Sequence, residues 1–289
     1  KEHAEEWIVN SENTGAHLSI DEVAISNGEL YTIITNKAAH GKKKALVGMF
    51  QSTDASKISS KLTNIEQGFR NLATEATLDM SPAMEAIIRR TFPNARLVTD
   101  RFHVQQLVSE AVQEVRMSFR REALKEENTK LKEAKKNKVR YIPATFGNGD
   151  TKKQLLARSR YLLFKPSSKW HESQKERADI LFKKFPKLEK SYKLSMMFRN
   201  CYESSKNEEE AKERFDNWYE KVEKSGIEEF AVPADTIQAH EDTILNYFVN
   251  RSTNASAESF NAKLKNFRAL VRGVTDKKFF LYRINEIFG

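Results

Sequence analysis

The chain has 289 residues, of which 39% are hydrophobic and 31% charged, and 49 Lys and Arg against 40 Asp and Glu give a net charge of +9. That length can bury a sizeable core in one large domain or two ordinary ones, and the positive charge favours a polyanionic partner such as nucleic acid. The single cysteine, Cys201, excludes an internal disulfide and a zinc site built from paired cysteines. No apolar run approaches the ~20 residues of a membrane span, and the cysteine usage indicates a reducing compartment such as the cytoplasm.

The first part of the chain predicts a mixed sheet. Short apolar, β-branched runs predict five strands, at residues 18–25, 30–35, 45–50, 72–78 and 95–99. The first three are joined by short polar connections, one of them the hairpin signal Asn27-Gly28, and this predicts an antiparallel meander. The last two strands follow helical segments, and such crossovers predict parallel neighbours.

Helical periodicity separates these strands. Asp54 is predicted as the N-cap of a first helix and Pro82 as the first residue of a second. A long helix follows Asp100, with an apolar face from Val104 to Val115. The predicted order of the first part is therefore βββαβαβα.

From about residue 120 the strand signals almost vanish, and Lys, Glu, Ala, Leu and Arg dominate. This composition predicts an all-helical insertion, in which Trp170 and Trp218 are expected to pack into a helical core rather than stack on a base. A last pair of helices is predicted at 235–248 and 254–272. The predicted division of the chain is a first core part at 1–119, the insertion at 120–234, and a final core part at 235–289.

Three aspartates occupy positions where ligands are often held. Asp21 lies inside an apolar strand, so its charge must be paired with a cation, bound to a metal, or suppressed by a shift of its pKa. Asp79 and Asp100 each follow a strand, and ligand chemistry in such sheets lies at the carboxyl ends of strands. The alternatives are a salt bridge for Asp21, a helix-capping role for Asp79, and a structural role for Asp100 and for His103.

The last predicted helix combines an acid with cations. Its apolar stripe consists of Phe260, Leu264, Phe267 and Val271. The opposite side carries Glu258, Asn261, Lys265 and Arg272. This side is either an ordinary solvated face or a metal ligand followed by a track of phosphate contacts.

Several blocks of residues form a recognisable set: Ile20-Asp21-Glu22-Val23-Ala24, Leu78-Asp79-Met80-Ser81-Pro82, Phe92-Pro93-Asn94-Ala95, Thr99-Asp100-Arg101-Phe102-His103-Val104, and finally Asn254, Glu258, Asn261, Lys265 and Arg268. This set resembles the ISL-three family of bacterial insertion-sequence transposases, which belong to the DDE class and have a ribonuclease H-like core. The resemblance covers roughly residues 18–118 and 240–285. It implies an α/β fold with a mixed five-stranded sheet and flanking helices, interrupted by an all-α insertion.

The resemblance also implies roles for single residues. Asp21, Asp79 and Glu258 correspond to the catalytic carboxylates that hold two Mg²⁺ or Mn²⁺ ions, and Asp100 with His103 corresponds to a supporting motif. A rival assignment makes Asp100 the second catalytic aspartate. Asp79 is preferred because its predicted strand lies beside the strand of Asp21. The residues expected to contact DNA are Asn261, Lys265, Arg268 and Arg272.

The activity implied is cleavage of DNA at the terminal inverted repeats of a transposon and transfer of the freed 3′-OH into target DNA. Such an enzyme is expected in the bacterial nucleoid, away from the membrane, and as a homodimer on its DNA. The alternatives are a related metal-dependent nuclease or resolvase, which cleaves without joining, and a catalytically inactive DNA-binding relic. Because the chain begins with Lys1 rather than Met, an upstream segment is expected to precede it, and the resemblance implies that this segment carries a cysteine-bearing DNA-binding region.

Overall fold

The computed structural model describes residues 7–25, 28–271 and 276–289. The chain divides into two compact units, the first formed by residues 1–104 and 240–289 and the second by residues 105–239. None of the helices in the described ranges is both long and apolar enough to cross a membrane. The predicted turn residue Asn27 and the predicted DNA contact Arg272 lie outside the described residues.

The first unit contains a mixed sheet whose strands are β1 (Trp7–Val9), β2 (His17–Ala24), β3 (Leu30–Asn36), β4 (Leu46–Phe50), β5 (Glu75–Leu78) and β6 (Arg96–Thr99). Their order across the sheet is β1-β4-β3-β2-β5-β6. The antiparallel meander of β2, β3 and β4 is confirmed, and so is the parallel pairing of β5 with β2 and of β6 with β5. The five predicted strands are all present, and the sixth, β1, was not predicted because three residues are too few to display an alternating pattern.

The helices of the described residues are α1 (Ala55–Leu62), α2 (Gln67–Leu72), α3 (Pro82–Thr91), α4 (Arg101–Lys136), α5 (Lys152–Arg158), α6 (Glu172–Lys184), α7 (Pro186–Ser204), α8 (Glu208–Ser225), α9 (Ala231–Ala239), α10 (Glu241–Leu245), α11 (Tyr247–Asn250), α12 (Ala255–Leu270) and α13 (Lys277–Phe288). The segment predicted as one helix at 235–248 is broken into α9, α10 and α11, and α13 was not predicted.

Local sequence signals explain where two of these helices begin. The side chain of Asp54 accepts hydrogen bonds from the backbone N–H groups of Ser56 and Lys57, at 2.9 and 3.1 Å, and so satisfies donors that α1 leaves unpaired. Pro82 occupies the first turn of α3, where its missing N–H costs no hydrogen bond. Both predictions of helix starts are confirmed.

Strand alternation assigns each residue of β2 to one face of the sheet. Leu18 and Ile20 belong to a core formed with α1 and α3. Val23 belongs to a second core, which includes Phe260 of α12. Because side chains alternate along a strand, Asp21 lies on the same face as Val23 and therefore faces α12.

The described part of the second unit is helical apart from an isolated bridge between Thr145 and Thr151. Trp218 of α8 is fully buried, its Nε1 donates a hydrogen bond to the carbonyl of Leu194 at 3.0 Å, and its ring lies 4.7 Å from that of Phe198. Cys201 of α7 is also buried, and burial raises the pKa of its thiol to about 12. The expectation that Trp218 packs into a helical core is confirmed.

Candidate active site

The parallel pairing of β2 with β5 places two aspartates at the same level. Ser19 of β2 is the partner of Thr77 in β5. Asp21 and Asp79 each follow two residues later, so they continue the same register, with Asp79 just beyond the end of its strand. Both carboxylates therefore lie at the carboxyl ends of neighbouring strands, where sheets of this kind hold their ligands.

The third aspartate follows on the next strand. Leu78 is paired with Thr99 in the parallel ladder of β5 and β6, and the N–H of Asp100 donates to the carbonyl of Leu78 at 2.7 Å. Asp100 therefore lies beside Asp79, one strand further from Asp21. The sheet order agrees with the prediction that the strand of Asp79 lies between the other two.

Asp100 is engaged by its own surroundings. It is 2% exposed, and its Oδ1 accepts a hydrogen bond from the backbone N–H of Asn254 at 3.1 Å. Its Oδ2 lies 3.3 Å from Nδ1 of His103. This contact raises the pKa of His103 against the opposing effect of burial, and the negative charges of Asp79 and Asp21 add to the increase.

Both oxygens of Asp21 accept hydrogen bonds. The N–H of Glu22 donates to Oδ1 at 2.8 Å, and Nδ2 of Asn261 donates to Oδ2 at 2.6 Å. Burial raises the pKa of Asp21, and the charge of Asp79 raises it further, while these hydrogen bonds and His103 act in the opposite direction. The site thus concentrates negative charge at Asp21 and Asp79, as expected where a cation binds.

Glu22 is a fourth carboxylate of this region, which sequence reasoning missed. Burial raises its pKa, as do the charges of Asp79 and then Asp21. The signal was present in the Asp21-Glu22 pair, but strand alternation assigns consecutive residues to opposite faces and so argued against grouping them. Near the end of β2 both carboxylates are only half-buried, and both lie within electrostatic reach of Asp79.

Helix α12 brings Glu258 towards the aspartates without placing it among them. Asn254, Glu258 and Asn261 are separated by four and then three positions, so they share one face of the helix. Asn254 contacts Asp100 through its backbone N–H and Asn261 contacts Asp21 through its side chain, whereas the side chain of Glu258, between them in the sequence, is exposed. In the part of the chain that the structure describes, no three His, Cys, Asp or Glu side chains are grouped closely enough to hold a metal ion.

The oxygen atoms near the aspartates suit a hard cation. Mg²⁺ prefers carboxylate and amide oxygens and commonly retains several waters, so two fixed carboxylates can suffice to bind it. Asp21 and Asp79 supply the carboxylates. Oδ1 of Asn261 and of Asn254 are buried oxygens that have no hydrogen-bond partner among the described residues. The residues present therefore fit a divalent cation at Asp21 and Asp79, with Glu258 within one helical turn of Asn261.

The predicted DNA contacts on α12 occupy different environments. Lys265 is exposed. Asn261 was predicted on the solvated side of the helix, but it is 8% exposed and its amide is directed at Asp21. Arg268 is also 8% exposed; it lies 3.5 Å from the carboxylate of Glu29, and its guanidinium lies 4.9 Å from the ring centre of Phe280. The continuous solvated track that the sequence predicted is therefore interrupted in the structure.

Polar side chains fasten the segment before α12 to the sheet. They are spaced three or four residues apart and contact β5 and β6: Thr243 with the hydroxyl of Thr99 at 2.7 Å, Asn246 with the carbonyl of Leu97 at 2.8 Å, and Asn250 with the carboxylate of Glu75 at 2.9 Å. With the contact between Asn254 and Asp100, they fix where α12 begins and hence where Glu258 lies. Sequence reasoning overlooked them, because small polar residues at helical spacing are typical of any solvated helix.

The mixed sheet, with helices on both faces and aspartates at the ends of adjacent strands, defines an α/β protein of the ribonuclease H-like class. Residues 18–284 match the model of a transposase family, the DDE transposases of the ISL-three type, and the chain belongs to this family. No curated protein and no solved structure matches the chain. Family membership identifies the chain as a transposase, an enzyme whose substrate is DNA.

Proposed function

We propose that this transposase cleaves DNA at transposon ends and transfers the resulting 3′-OH into target DNA, with Asp21, Asp79 and Glu258 as ligands of two divalent ions, Mg²⁺ or Mn²⁺. One observation carries the proposal: Asp21 and Asp79 lie at the same level at the ends of neighbouring parallel strands, within electrostatic reach of each other, and Asp21 contacts the helix that carries Glu258. When bound, a pair of such ions activates the attacking oxygen and stabilises the leaving oxygen.

The burial of the two candidates favours Asp79 over Asp100 as the second catalytic aspartate. Asp79 is half-buried, and its Oδ1 accepts a hydrogen bond from the N–H of Ser81 at 2.8 Å, which orients the carboxylate. Asp100 is almost completely buried: one of its oxygens accepts a hydrogen bond from the backbone N–H of Asn254, and the other lies against His103. We therefore assign Asp100 a supporting role, because it holds the start of α12.

The chain's own groups prepare the site for the reaction. Asn261 and the amide of Glu22 fix the two oxygens of Asp21, so the carboxylate does not have to reorient when DNA binds. His103 sits against Asp100, and this contact raises the pKa of the imidazole, which favours the protonated form whose charge would offset part of the carboxylate charge. Lys265 is exposed on the same helix as Glu258 and is available to a DNA phosphate.

The two reactions balance without a covalent enzyme intermediate. In the first, the oxygen of water bonds to phosphorus, the bond from phosphorus to the 3′ oxygen breaks, and the leaving oxygen takes a proton to become a 3′-OH. In the second, that 3′ oxygen bonds to a phosphorus of target DNA and displaces the target's own 3′ oxygen. One phosphodiester is exchanged for another, so the transfer needs no external energy source.

We infer that the core is formed by residues 1–119 and 235–289 and is interrupted by a helical insertion at 120–234; the two compact units support this arrangement in outline. Because two transposon ends must be joined in one event, we expect a homodimer on DNA. Light scattering of the protein alone and with DNA carrying its terminal repeat tests that expectation.

The test compares Asp79→Asn with Asp100→Asn in assays of cleavage and strand transfer, with Mg²⁺ and with Mn²⁺. Asp179→Asn removes the same charge at an exposed position of α6 and serves as the control. We expect Asp79→Asn to lower both activities at least about 100-fold and Asp100→Asn to lower them less, because loss of a direct ligand exceeds loss of a supporting contact.

Other outcomes would contradict the proposal in distinguishable ways. Full activity of Asp79→Asn would refute its role, and a larger loss in Asp100→Asn would transfer that role to Asp100. Cleavage by the unaltered protein without any joining would indicate a nuclease or resolvase. DNA binding with neither cleavage nor joining in either metal would indicate an inactive relic.

A further inference from the structure

Three arginines converge in the second unit. Arg116 and Arg120 are four residues apart on α4, so they share one face of that helix. Gln113 connects Arg116 to the backbone of Arg160: its Oε1 accepts from Nε of Arg116 at 2.7 Å, and its Nε2 donates to the carbonyl of Arg160 at 3.4 Å. The positive charges of Arg120 and Arg160 both act on Arg116.

Among the described residues, the contacts of this cluster are with neutral groups. Arg116 is 5% exposed, and its guanidinium donates to the neutral carbonyl of Leu156 at 2.9 Å. Arg160 lies over the ring of Tyr161, at 5.5 Å, and this contact also supplies no negative charge. Among the described residues no carboxylate forms an ion pair with any of the three arginines.

Burial lowers the pKa of Arg116, and the charges of Arg120 and Arg160 lower it further. The Nε of Arg120 is buried and has no hydrogen-bond partner within the part of the chain described. Like charges gathered in a partly desolvated place destabilise the fold unless an anion joins them. A negatively charged group with several acceptor oxygens would offset this charge and accept from the free Nε of Arg120.

We propose that Arg116, Arg120 and Arg160 form a binding site for a phosphate group of the DNA backbone. The planar guanidinium group presents paired N–H donors that match phosphate oxygens, and it remains charged at any physiological pH. The inference rests on the proposed function only in that it takes DNA as the source of the phosphate. The site lies on α4 and on the turn after α5, in residues to which sequence reasoning assigned no role.

A purely structural role accounts for only part of the cluster. Leu156 is in the last turns of α5, so Arg116 binds a carbonyl that the end of this helix leaves without an intrahelical partner. That role explains the burial of Arg116. It does not explain why Arg120 and the exposed Arg160 gather beside it without an acid.

The experiment measures binding of the whole chain to a fluorescently labelled linear DNA duplex by anisotropy, over a series of salt concentrations. The variants are Arg120→Gln and Arg160→Gln. The control is Arg121→Gln, which removes the same charge from an exposed position one residue along α4. Arg160→Lys is included because it retains the charge and loses the paired donors. Thermal unfolding of each variant accompanies the binding measurement.

We expect Arg120→Gln and Arg160→Gln each to bind DNA about tenfold more weakly, the loss typical of one charged hydrogen-bonded contact. The slope of log K against log salt should become shallower by about one in each, and by none in Arg160→Lys. Arg121→Gln should bind within about twofold of the unaltered chain.

Two results would overturn the inference. If the two glutamine variants lose no more affinity than Arg121→Gln, the cluster is not a phosphate site, and the proposed function is unaffected. If the unaltered chain binds no DNA at any salt concentration, the proposed function fails and this site fails with it. Because Arg160 is exposed, its replacement leaves the packed core intact, so a loss of binding cannot be attributed to unfolding.

Discussion

At the scale of single residues, the side-chain amide of Asn261 orients the carboxylate of Asp21. Nδ2 of Asn261 lies 2.6 Å from Oδ2 of Asp21, and the amide belongs to a helix while the carboxylate belongs to a strand. An outer partner of this kind fixes a ligand before the cation binds. On the same helix, the guanidinium of Arg268 lies 3.5 Å from the carboxylate of Glu29, so its positive charge is paired within the protein.

Asn261→Ala is expected to lower metal-dependent cleavage about 10- to 100-fold, the usual cost of losing an outer partner of a ligand. The concentration of Mn²⁺ needed for half-maximal cleavage should rise, because Asp21 is then free to rotate away. The free energy of unfolding should fall by about 1 kcal/mol for the lost hydrogen bond.

The matched control is Asn266→Ala, which alters the same residue type at an exposed position of the same helix. It should change neither the cleavage rate nor the dependence on Mn²⁺. Equal effects of the two substitutions on that dependence would show that Asn261 acts only through the stability of α12.

At the scale of elements, an ion-pair network fastens the loop before α5. The side chain of Asp150 is 0% exposed and contacts Arg158 of α5 and, at 2.9 Å, Arg177 of α6. Burial alone would raise the pKa of Asp150, but the hydrogen bonds and charges of the two arginines outweigh it, so the pKa is lowered from its ordinary value of 3.8.

This network predicts a definite dependence of stability on pH. Because the pKa of Asp150 is lower in the folded chain than in the unfolded chain, its contribution to stability is fully present above the unfolded value of 3.8. That contribution should be lost as the pH falls through the folded pKa. In urea unfolding from neutral pH to about pH 3, the difference in the free energy of unfolding between the unaltered chain and Asp150→Asn should therefore decrease once the pH falls below 3.8.

The control for this measurement is Asp179→Asn, which alters an exposed carboxylate of α6. The free energy of unfolding of Asp179→Asn should differ little from that of the unaltered chain at every pH. If the difference in the free energy of unfolding between the unaltered chain and Asp150→Asn stayed constant into acid, packing rather than charge would account for the stabilising effect of Asp150.

At the scale of the whole molecule, binding of DNA and chemistry on DNA rest on different charges. The net charge of +9 favours binding to phosphates, whereas the aspartates at the strand ends repel them until a cation intervenes. Binding should therefore survive the loss of a carboxylate that cleavage requires.

Accordingly, Asp79→Asn is expected to bind duplex DNA at least as tightly as the unaltered chain while its cleavage is abolished. The logarithm of the binding constant should fall linearly with the logarithm of the salt concentration, with the same slope for both proteins. Anisotropy titrations without divalent ions provide the measurement. Loss of DNA binding in Asp79→Asn would mean that Asp79 shapes the DNA surface rather than the chemistry.

The sequence by itself determined the elements and the class of fold, because these depend on local patterns. Short apolar, β-branched runs located β2 to β6, the connections between them predicted which pairs are antiparallel, and the Asp54 and Pro82 signals placed two helix starts. The set of motifs from Asp21 to Arg268, above all the Asp100-Arg101-Phe102-His103 block followed by the block around Glu258, predicted the transposase family that residues 18–284 match.

Only the tertiary structure decided which distant residues meet. Asp21 and Asp79 lie at the same level because of the register between β2 and β5. The contact between Asp21 and Asn261 joins residues 240 positions apart. Periodicity assigned Asn261 to the solvated side of the helix, and the resemblance assigned Arg268 to DNA, since a pattern of apolar residues carries no information about a polar partner on another element. The arginine cluster escaped the sequence for the same reason: its charge is unusual only once the absence of a neighbouring acid among the described residues is known.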